Sequence, residues 1–464
     1  MAQFTPLEWL AVAEHELLLF AGAFFLLGAL DEFAVDLVYA WLRLTGRART
    51  WTIERQALRS RTLAGPAALL IPTWREERVI EHTIAHALAV WPYPELRIYA
   101  GCYCNDSATL EAIMRGAGGD PRVRVVVHGR AGPTTKADCL NRLYAALEHD
   151  ERRYGAEFRL VLLHDAEDMV DPAALALMDR AIEEAEFVQL PVLPEPQTGS
   201  WVGSHYCEEF AEAHGKAMVV RGALGAALPA AGVGCGFARP MLRTIAGQMA
   251  GEGPFSIDSL TEDYELGLRI KAAGGRQHFL RVRGADGKLV ATRACFPARI
   301  DHAVRQKARW VHGIALQGWD RTGWGNSAAD GWMRIRDRRG PLTALVLLAG
   351  YLLVVLGGPL FVGARMGWVP PMRLEPALVA ILWFNLASFA WRALVRAAFT
   401  AREYGLREGL LAIPRIVVGN VIAMMAARRA LGAYVGSLRG KPLRWDKTFH
   451  HALPAAIFRR EQAA

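Results

Sequence analysis

Cysteine is scarce in this sequence, and its spacing argues against two common kinds of site. The six cysteines lie scattered between residues 102 and 295 of the 464-residue chain, and none forms a C-x-x-C pair. Structural zinc sites are normally built from such pairs, so we expect no zinc site. Isolated thiols are typical of a reducing cytosol rather than of a disulfide-bonded secreted domain.

The sequence also lacks internal repeats, low-complexity segments and any known nucleic-acid-binding signature. Nucleic acid is therefore not an expected partner, although the formal net charge is +8. The basic residues cluster instead beside apolar segments. This pattern predicts contact with an anionic lipid bilayer and a negatively charged substrate.

The first long apolar segment, residues 7–44, predicts one membrane helix within residues 1–50. It is longer than the apolar region of a signal peptide, and no small-residue cleavage site follows it. Arg43, Arg47 and Arg49 follow, so we expect its carboxyl end to face the cytoplasm. Acidic residues interrupt the apolar pattern, and a buried amphipathic hairpin is the alternative interpretation.

Two later apolar segments, 341–363 and 375–395, predict an antiparallel pair of membrane helices within residues 331–400. Arginines precede the first and follow the second, which predicts that both basic ends are cytoplasmic. A further segment, 409–427, has basic residues on both flanks. We expect it to lie in the cytoplasmic membrane interface rather than to span the bilayer, within a carboxyl-terminal region of residues 401–464.

Residues 60–330 predict a cytoplasmic α/β domain. Short apolar strands alternate with helical stretches, which is typical of a mostly parallel sheet flanked by helices. The expected elements are a strand at 67–72, a helix at 77–90, strands at 96–100 and 123–127, a helix at 136–149 and a strand at 160–163.

The last of these strands leads directly into three carboxylates, Asp165, Glu167 and Asp168. The carboxyl ends of parallel strands form the edge at which open α/β sheets bind ligands. Carboxylates at that edge suit Mg²⁺ or Mn²⁺, and either ion suits a phosphate-bearing ligand. A plain surface loop after a strand is the alternative.

Polar residues also follow the earlier strands. Thr73 and Glu76 follow the first strand, and Asp106 follows the second. Such groups can bind a nucleobase and a ribose, although Asn105-Asp106-Ser107 is also ordinary turn chemistry. Lys136 opens the next helix, where its ammonium group and the helix amino end can both meet a phosphate.

Two motifs near the end of the domain complete the set. Thr261-Glu262-Asp263 precedes a helical stretch, so one of its two acids is a candidate general base. The alternative is that Thr261 merely caps that helix. Gln306-Lys307-Ala308-Arg309-Trp310 follows, and Trp310 offers an apolar ring on which a sugar can stack.

In this order the motifs resemble those of family 2 glycosyltransferases with a GT-A fold. More narrowly they resemble the membrane-embedded synthase type, marked by D, DxD, TED and QxxRW, to which cellulose, chitin and hyaluronan synthases belong. The Asp-Ala-Glu-Asp sequence at 165–168 is most similar to the bacteriophage adsorption protein B group. By motif, the resemblance covers residues 66–325.

The resemblance implies a binding site for a UDP-sugar donor. The residues that it assigns to nucleotide-sugar binding are Thr73, Glu76, Asp106, Lys136, Asp165 and Arg309. It also implies a Mg²⁺ or Mn²⁺ ion at the acidic motif. The third position of that motif departs from DxD, so the expected metal ligands are Asp165 with either Glu167 or Asp168.

The resemblance further implies a general base, Asp263, with Glu262 beside it. The acceptor-binding residues would be Gln306, Trp310 and a loop at Gly234, Cys235 and Gly236. Glycines in such a loop would let the backbone approach a sugar closely, and a plain turn is the alternative. A gating segment would contribute Trp445, Thr448 and His450, and a tail packed on the bilayer is the alternative there.

The expected function is inverting transfer of a sugar from a UDP-sugar to a growing polysaccharide at the bacterial inner membrane, forming β-linkages. Three spans are few for an export channel, so a homo-oligomer or an export partner is expected to complete the path. Two alternatives stay open, namely transfer to a lipid carrier and a phage receptor or scaffold with a decayed site. Trp310 argues against the first, and the intact acidic motifs argue against the second.

Overall fold

The computed structural model describes residues 5–249, 253–368, 372 and 374–441. Within them the helices are α1 Pro6–Leu44, α2 Arg55–Arg59, α3 Ile80–Val90, α4 Ser107–Ala117, α5 Lys136–Tyr154, α6 Ala174–Ala181, α7 Trp201–Glu212, α8 Met218–Ala223, α9 Arg239–Gln248, α10 Glu262–Ala272, α11 Ile300–Trp310, α12 Gly318–Thr322, α13 Ala328–Arg338, α14 Gly340–Arg365, α15 Pro376–Tyr404 and α16 Leu406–Leu438. Two π-helical segments, Ala213–Ala217 and Val311–Gln317, continue α7 and α11.

The strands are β1 Trp51–Ile53, β2 Ala67–Pro72, β3 Leu96–Tyr103, β4 Val123–His128, β5 Leu160–Leu163, β6 Phe187–Gln189, β7 Val192–Pro194, β8 Cys235–Ala238, β9 Gln277–Phe279, β10 Val282–Gly284 and β11 Thr292–Ala294. Seven of them form the main sheet in the order β4-β3-β2-β5-β8-β6-β9. Only β8 runs against its neighbours β5 and β6. The prediction of a mostly parallel sheet is therefore confirmed.

The central strand β2 shows why this sheet is covered on both faces. All six of its residues are buried, as expected for a parallel strand without a solvent face. Because successive side chains alternate, Leu69 and Ile71 pack into the core formed with α3 and α6. Ala68 and Leu70 pack into the opposite core, formed with α5, α9 and α10. The two cores fix the direction of the strands and so the position of their carboxyl ends.

Four helices, α1, α14, α15 and α16, are long and apolar enough to cross a membrane by length and composition. The shortest, α14, has 26 residues. At 1.5 Å per residue it reaches about 39 Å, more than the roughly 30 Å of a hydrocarbon core. The predicted membrane helices are thus present, and the helix α1 is continuous, so the hairpin alternative is wrong.

Two acidic residues of α1, Asp31 and Glu32, form ion pairs with arginines of α13, of the start of α14 and of α15. Asp31 and Glu32 both pair with Arg336 and Arg339, where α13 passes into α14. Glu32 also pairs with Arg392 of α15 at 3.3 Å. These ion pairs bring the start of α14 and the later part of α15 to one end of the bundle, as the antiparallel pair requires. The side of the membrane on which this end lies stays a prediction.

The last helix, α16, packs against the α/β domain as well as against the other membrane helices. Ile422 lies in a buried cluster with Tyr206 of α7 and Val304 of α11. Ala426 and Ala430 pack on Ala308, also of α11. An interfacial helix would make such contacts, but the length of α16 also suits a span, so its placement stays a prediction.

Candidate active site

The carboxyl ends of β2, β3 and β5 meet at one edge of the sheet, and the predicted donor residues gather there. The antiparallel strand β8 adds its amino end to the same edge, because Cys235 pairs with Leu163 in register. Above this edge one cleft is lined by Thr135, Lys136, Ser259, Leu260, Thr261, Glu262, Asp263, Arg309 and Trp310. Residues from four of the predicted motifs border it or pair with its lining.

Lys136 links the helix α5 to the acidic motif. It is the first residue of α5, which Thr135 caps by accepting from the Asp138 amide at 3.2 Å. Its Nζ lies 2.6 Å from Asp165 Oδ1. Burial lowers the pKa of Lys136, but the carboxylates of Asp165, Glu262 and Asp263 offset this and raise it above its ordinary value. The ammonium group is therefore held charged within the cleft.

The acidic motif uses its carboxylates in different ways. Asp168 is 2% exposed, and its Oδ2 accepts from the Asp165 amide at 2.8 Å and lies 3.0 Å from His164 Nδ1. Burial raises the pKa of Asp168, and the hydrogen bond with His164 opposes that rise. Asp165 and Glu167 are more accessible. This geometry favours Glu167 over Asp168 as the second metal ligand, a role that stays a prediction.

Glu262 and Asp263 form the acidic end of the cleft. Burial and the neighbouring Asp263 raise the pKa of Glu262 to about 7, against a lowering by Lys136. Burial also raises the pKa of Asp263, which is opposed by Lys136 and by the Tyr264 amide that donates to Asp263 Oδ1 at 2.7 Å. Two adjacent acids of this kind titrate as a pair, so a carboxylate able to accept a proton is present near neutral pH.

A glycine makes room for the Asp263 carboxylate. Gly232 has φ of +75°, and a methyl group built on it would overlap Asp263 Oδ2. Any other residue at this position would have to displace that carboxylate and adopt a strained backbone as well. The sequence analysis did not single out this glycine.

Two buried contacts that the sequence analysis missed hold the helix α10 in place. Glu265 accepts from Arg321 Nε at 2.6 Å and from Ser259 Oγ at 2.7 Å. Tyr264 donates to Asp337 at 2.6 Å, and Asp337 in turn pairs with Arg221 at 2.8 Å. The partners lie 56 and 73 residues away along the chain, and no spacing signal in the sequence connects them.

Thr261 is the N-cap residue of α10, as the alternative interpretation expected, but its side chain makes no capping hydrogen bond. Its hydroxyl oxygen is buried and has no hydrogen-bond partner among the described residues. Gly313, in the second π-helical segment, lies against this hydroxyl closely enough to exclude a side chain there. The threonine therefore joins the acidic end of the cleft to the segment that follows Trp310.

Trp310 and Arg309 also line the cleft. The Trp310 ring meets Tyr206 edge-on at 6.3 Å between centroids and lies 6.4 Å from Phe210. Tyr206 is fully buried, so the aromatic pair supports Trp310 from behind. Gln306 is outside the cleft lining, and its side-chain oxygen is buried without a hydrogen-bond partner in the described part of the chain.

The predicted acceptor loop is largely a strand. Cys235 and Gly236 belong to β8 and are buried, so the interpretation as a loop or plain turn is wrong for them. Gly236 is needed for packing, because a methyl group there would come within 2.9 Å of Leu160. Gly234, with φ of +60°, precedes the strand at the edge of the sheet. Burial and the nearby Asp263 raise the pKa of the Cys235 thiol.

The residues after β2 and β3 are tied to the backbone. Thr73 Oγ1 donates to the Gly101 carbonyl at 2.5 Å. Asp106 caps α4 and accepts from the Arg75 amide at 2.5 Å, so the turn-chemistry interpretation holds for it. Glu76 is buried beside them, with its amide bonded to Thr109 at 2.9 Å. The roles of Thr73, Glu76 and Asp106 in nucleotide binding stay predictions. The predicted gating residues Trp445, Thr448 and His450 lie outside the described residues.

Comparison with known proteins identifies the family. The model of the family described as "Glycosyltransferase like family 2" matches residues 65–313. This chain belongs to that family. Membership explains the common edge at which the motifs meet, and together with the mostly parallel sheet it gives the GT-A fold. The four long apolar helices of its described residues fit a membrane-associated member of this family.

Two curated relatives extend the similarity beyond the α/β domain. Bacteriophage adsorption protein B of Escherichia coli K12 and bacteriophage N4 adsorption protein B of Escherichia coli O157:H7 are each 32% identical to this chain over 453 residues. The match covers 91% of this chain and 60% of each relative. The chain thus spans about three fifths of their length.

Solved structures show weaker similarity. A mannosyltransferase from Pyrobaculum calidifontis, in complex with GDP-mannose and Mn²⁺, is 16% identical with a TM-score of 0.47, covering 85% of this chain and 99% of that one. Glucosyl-3-phosphoglycerate synthase from Mycobacterium tuberculosis, in complex with Mn²⁺, UDP and phosphoglyceric acid, is 18% identical with a TM-score of 0.36, covering 60% of this chain and 85% of that one.

Proposed function

We propose that this glycosyltransferase transfers a sugar from a UDP-sugar to the end of a growing polysaccharide, with inversion, at the bacterial inner membrane. The observation that carries the proposal is a single cleft bordered by Lys136, Glu262, Asp263, Arg309 and Trp310. Sugar transfer needs positive charge for a leaving diphosphate, a base for the acceptor and a surface for the sugar. The cleft combines the three.

The leaving group gains negative charge as the bond to the sugar breaks. Lys136 is held charged at the amino end of α5, where free backbone amides also favour a phosphate. In this structure the ammonium group of Lys136 forms an ion pair with Asp165. A bound diphosphate would compete with Asp165 for Lys136, and stabilisation of the diphosphate in this way lowers the barrier to bond cleavage.

A divalent cation is proposed to bind here together with the donor, because the protein's carboxylates alone would supply only part of its ligands. No three His, Cys, Asp or Glu side chains of the described residues come together as a metal cluster. Asp165 and Glu167 would hold the ion, and Mg²⁺ commonly binds through one or two carboxylates and completes its shell with phosphate and water. When bound, the ion supplies further charge stabilisation for the diphosphate.

Asp263 is the proposed base. It removes the proton from the acceptor hydroxyl as the oxygen attacks the anomeric carbon from the face opposite the diphosphate. The raised pKa values of Asp263 and Glu262 suit proton acceptance near neutral pH. One such displacement inverts the configuration, so an α-linked donor gives a β-linkage.

The acceptor end of the cleft adjoins the membrane helices. Trp310 ends α11, and α11 packs directly on α16. A polysaccharide held on Trp310 therefore lies beside the membrane part of the protein, with the catalytic domain in the cytoplasm. A homo-oligomer or an export partner is proposed to complete a path across the membrane.

The names of the relatives favour a second candidate function, that of a phage receptor or scaffold. Both relatives are called adsorption proteins, and the match reaches well beyond the α/β domain. Asp263 is nevertheless seated in a space that only glycine at position 232 allows. A site that had lost its chemistry would not need this arrangement, so the enzyme is the preferred candidate.

The test uses the purified full-length chain in detergent with Mg²⁺ or Mn²⁺. Radiolabelled UDP-sugars are screened, with GDP-sugars in parallel, and both nucleotide release and product size are followed. Release of UDP with a long polymer is the expected result. A small glycolipid product would favour transfer to a lipid carrier, and turnover of GDP-sugars alone would contradict the proposed donor.

A further inference from the structure

Another cavity, which shares no lining residue with the catalytic cleft, lies at the end of the first membrane helix. It has a volume of about 260 Å³ and lies between the end of α1, the helix α8 and the strands β9 and β10. Its lining includes Arg43, Arg47, Arg49, Arg281 and His278. No carboxylate among the described residues lines it, so this part of the chain makes the cavity strongly positive.

The shape of the chain after α1 gathers these arginines. The helix ends at Leu44, and Gly46, with φ of +71°, reverses the chain. Arg43 then donates to the Ala48 carbonyl at 2.7 Å, which holds the turn closed. The turn brings Arg47 and Arg49 back beside Arg43. Within the described residues none of these three makes an ion pair with a carboxylate.

Arg281, between β9 and β10, adds positive charge to the lining and donates to Thr50 Oγ1 at 3.2 Å. It donates to Glu403 at 2.5 Å, but Arg283 shares the same carboxylate oxygen at 2.5 Å. Arg281 is 8% exposed, and its Nε has no hydrogen-bond partner among the described residues. Burial lowers the pKa of Arg281 to about 10, Glu403 offsets this only in part, and Arg402 and Arg283 lower it further. An anion in the cavity would relieve this excess of charge.

An apolar stripe beside the cavity indicates where the anion comes from. Leu37, Trp41 and Leu44 follow one another at helical spacing on α1 and are 70%, 48% and 88% exposed. The Arg47 guanidinium lies over the Trp41 ring at 4.8 Å. Tryptophan beside arginine is typical of the level of lipid headgroups. The stripe offers a place for acyl chains directly next to a place for a phosphate.

We propose that this cavity binds the phosphate headgroup of an anionic membrane lipid, with the acyl chains on the stripe formed by Leu37, Trp41 and Leu44. The site is separate from the catalytic cleft and does not depend on the identity of the sugar donor. It anchors the turn between α1 and the α/β domain at the bilayer surface.

The experiment measures lipid retention by the full-length protein, using native mass spectrometry after titration with phosphatidylglycerol or phosphatidylcholine. The wild type should retain phosphatidylglycerol in preference to phosphatidylcholine. The variant R43Q/R47Q/R49Q should bind phosphatidylglycerol about tenfold or more weakly, because each lost arginine removes a favourable contact with the lipid. The control R152Q/R153Q/R180Q removes three exposed arginines elsewhere and should bind as the wild type does.

A lysine variant separates charge from folding. R43K/R47K/R49K keeps the charge and should keep the preference for phosphatidylglycerol even if the glutamine variant is unstable. Equal binding of both lipids by the wild type would overturn the proposal. It would also be overturned if the control R152Q/R153Q/R180Q lost as much phosphatidylglycerol binding as R43Q/R47Q/R49Q does. Inorganic phosphate that protects the wild type from thermal unfolding as well as phosphatidylglycerol does would assign the cavity to a soluble phosphate and overturn the lipid.

Discussion

The donor half and the acceptor half of the cleft are built in different ways. In the donor half, Asp165 follows a parallel strand directly and Lys136 opens the helix packed on the sheet, so local chain direction puts them together. In the acceptor half, Asp263 lies on a helix held by Asp337 and Arg321, far along the chain. The donor half therefore depends on the sheet, whereas the base depends on long-range packing.

The largest expected effect separates the chemistry of the two halves. Asp263→Asn should lower turnover by about two to four orders of magnitude, the range of general base catalysis. UDP binding should stay unchanged, because the donor half is intact. Turnover and UDP affinity are measured on the same preparation. The exposed Asp258→Asn is the matched control, and normal turnover of Asp263→Asn would remove Asp263 as the base.

A glycine substitution tests the geometry of the acceptor half without removing a charge. Gly232→Ala should lower turnover because its methyl group displaces the Asp263 carboxylate. Gly225→Ala is matched to it, since Gly225 also has positive φ but no atom within 4 Å of its added methyl group. The control should lose about 1–2 kcal/mol of stability, because alanine is strained at this positive φ, and should keep its turnover. Equal turnover of the two variants would contradict this role of Gly232.

Within the donor half, variants of the neighbouring acids Asp168 and Glu167 should affect different properties, namely stability and metal binding. Asp168→Ala leaves the Asp165 amide and His164 without their buried partner and should cost about 1–3 kcal/mol in the free energy of unfolding. Glu167→Gln should unfold as the wild type does but need more Mg²⁺ or Mn²⁺ for turnover. Denaturant unfolding and metal titration of the rate measure the two effects. The reverse pattern would make Asp168 the metal ligand.

The smallest effect concerns pH. The pKa of Glu262 is raised from its ordinary value of 4.5 to about 7, so the folded protein holds a proton there that the unfolded chain releases. The stability from this group is complete below pH 4.5 and is lost as the pH rises through about 7. Glu262→Gln should remove that part of the slope in unfolding free energy against pH. The exposed Glu77→Gln should retain it, and an unchanged slope in Glu262→Gln would refute the assignment.

The strands and membrane helices were predictable because their signals are local. The strands at 67–72 and 160–163 match the prediction at both ends, since each is a short run of apolar residues buried on both faces. Helix ends were less predictable. The helix expected from residue 77 begins at Ile80, and the one expected to end at 149 continues to Tyr154.

The sequence by itself determined the mostly parallel sheet, the membrane helices and the order of the chemical motifs. Apolar periodicity and strand-end polarity are properties of neighbouring residues, so they can be recognised without a structure. Only the tertiary structure decided that Asp168 turns inward to His164, that Gly232 admits the Asp263 carboxylate and that Arg281 joins the arginines after α1. The contact of Gly232 with Asp263 and the cavity shared by Arg281 and the arginines after α1 join residues far apart along the chain, and packing of whole elements brings them together. His164 and Asp168 are only four residues apart, but the direction in which their side chains point carries no signal in the sequence.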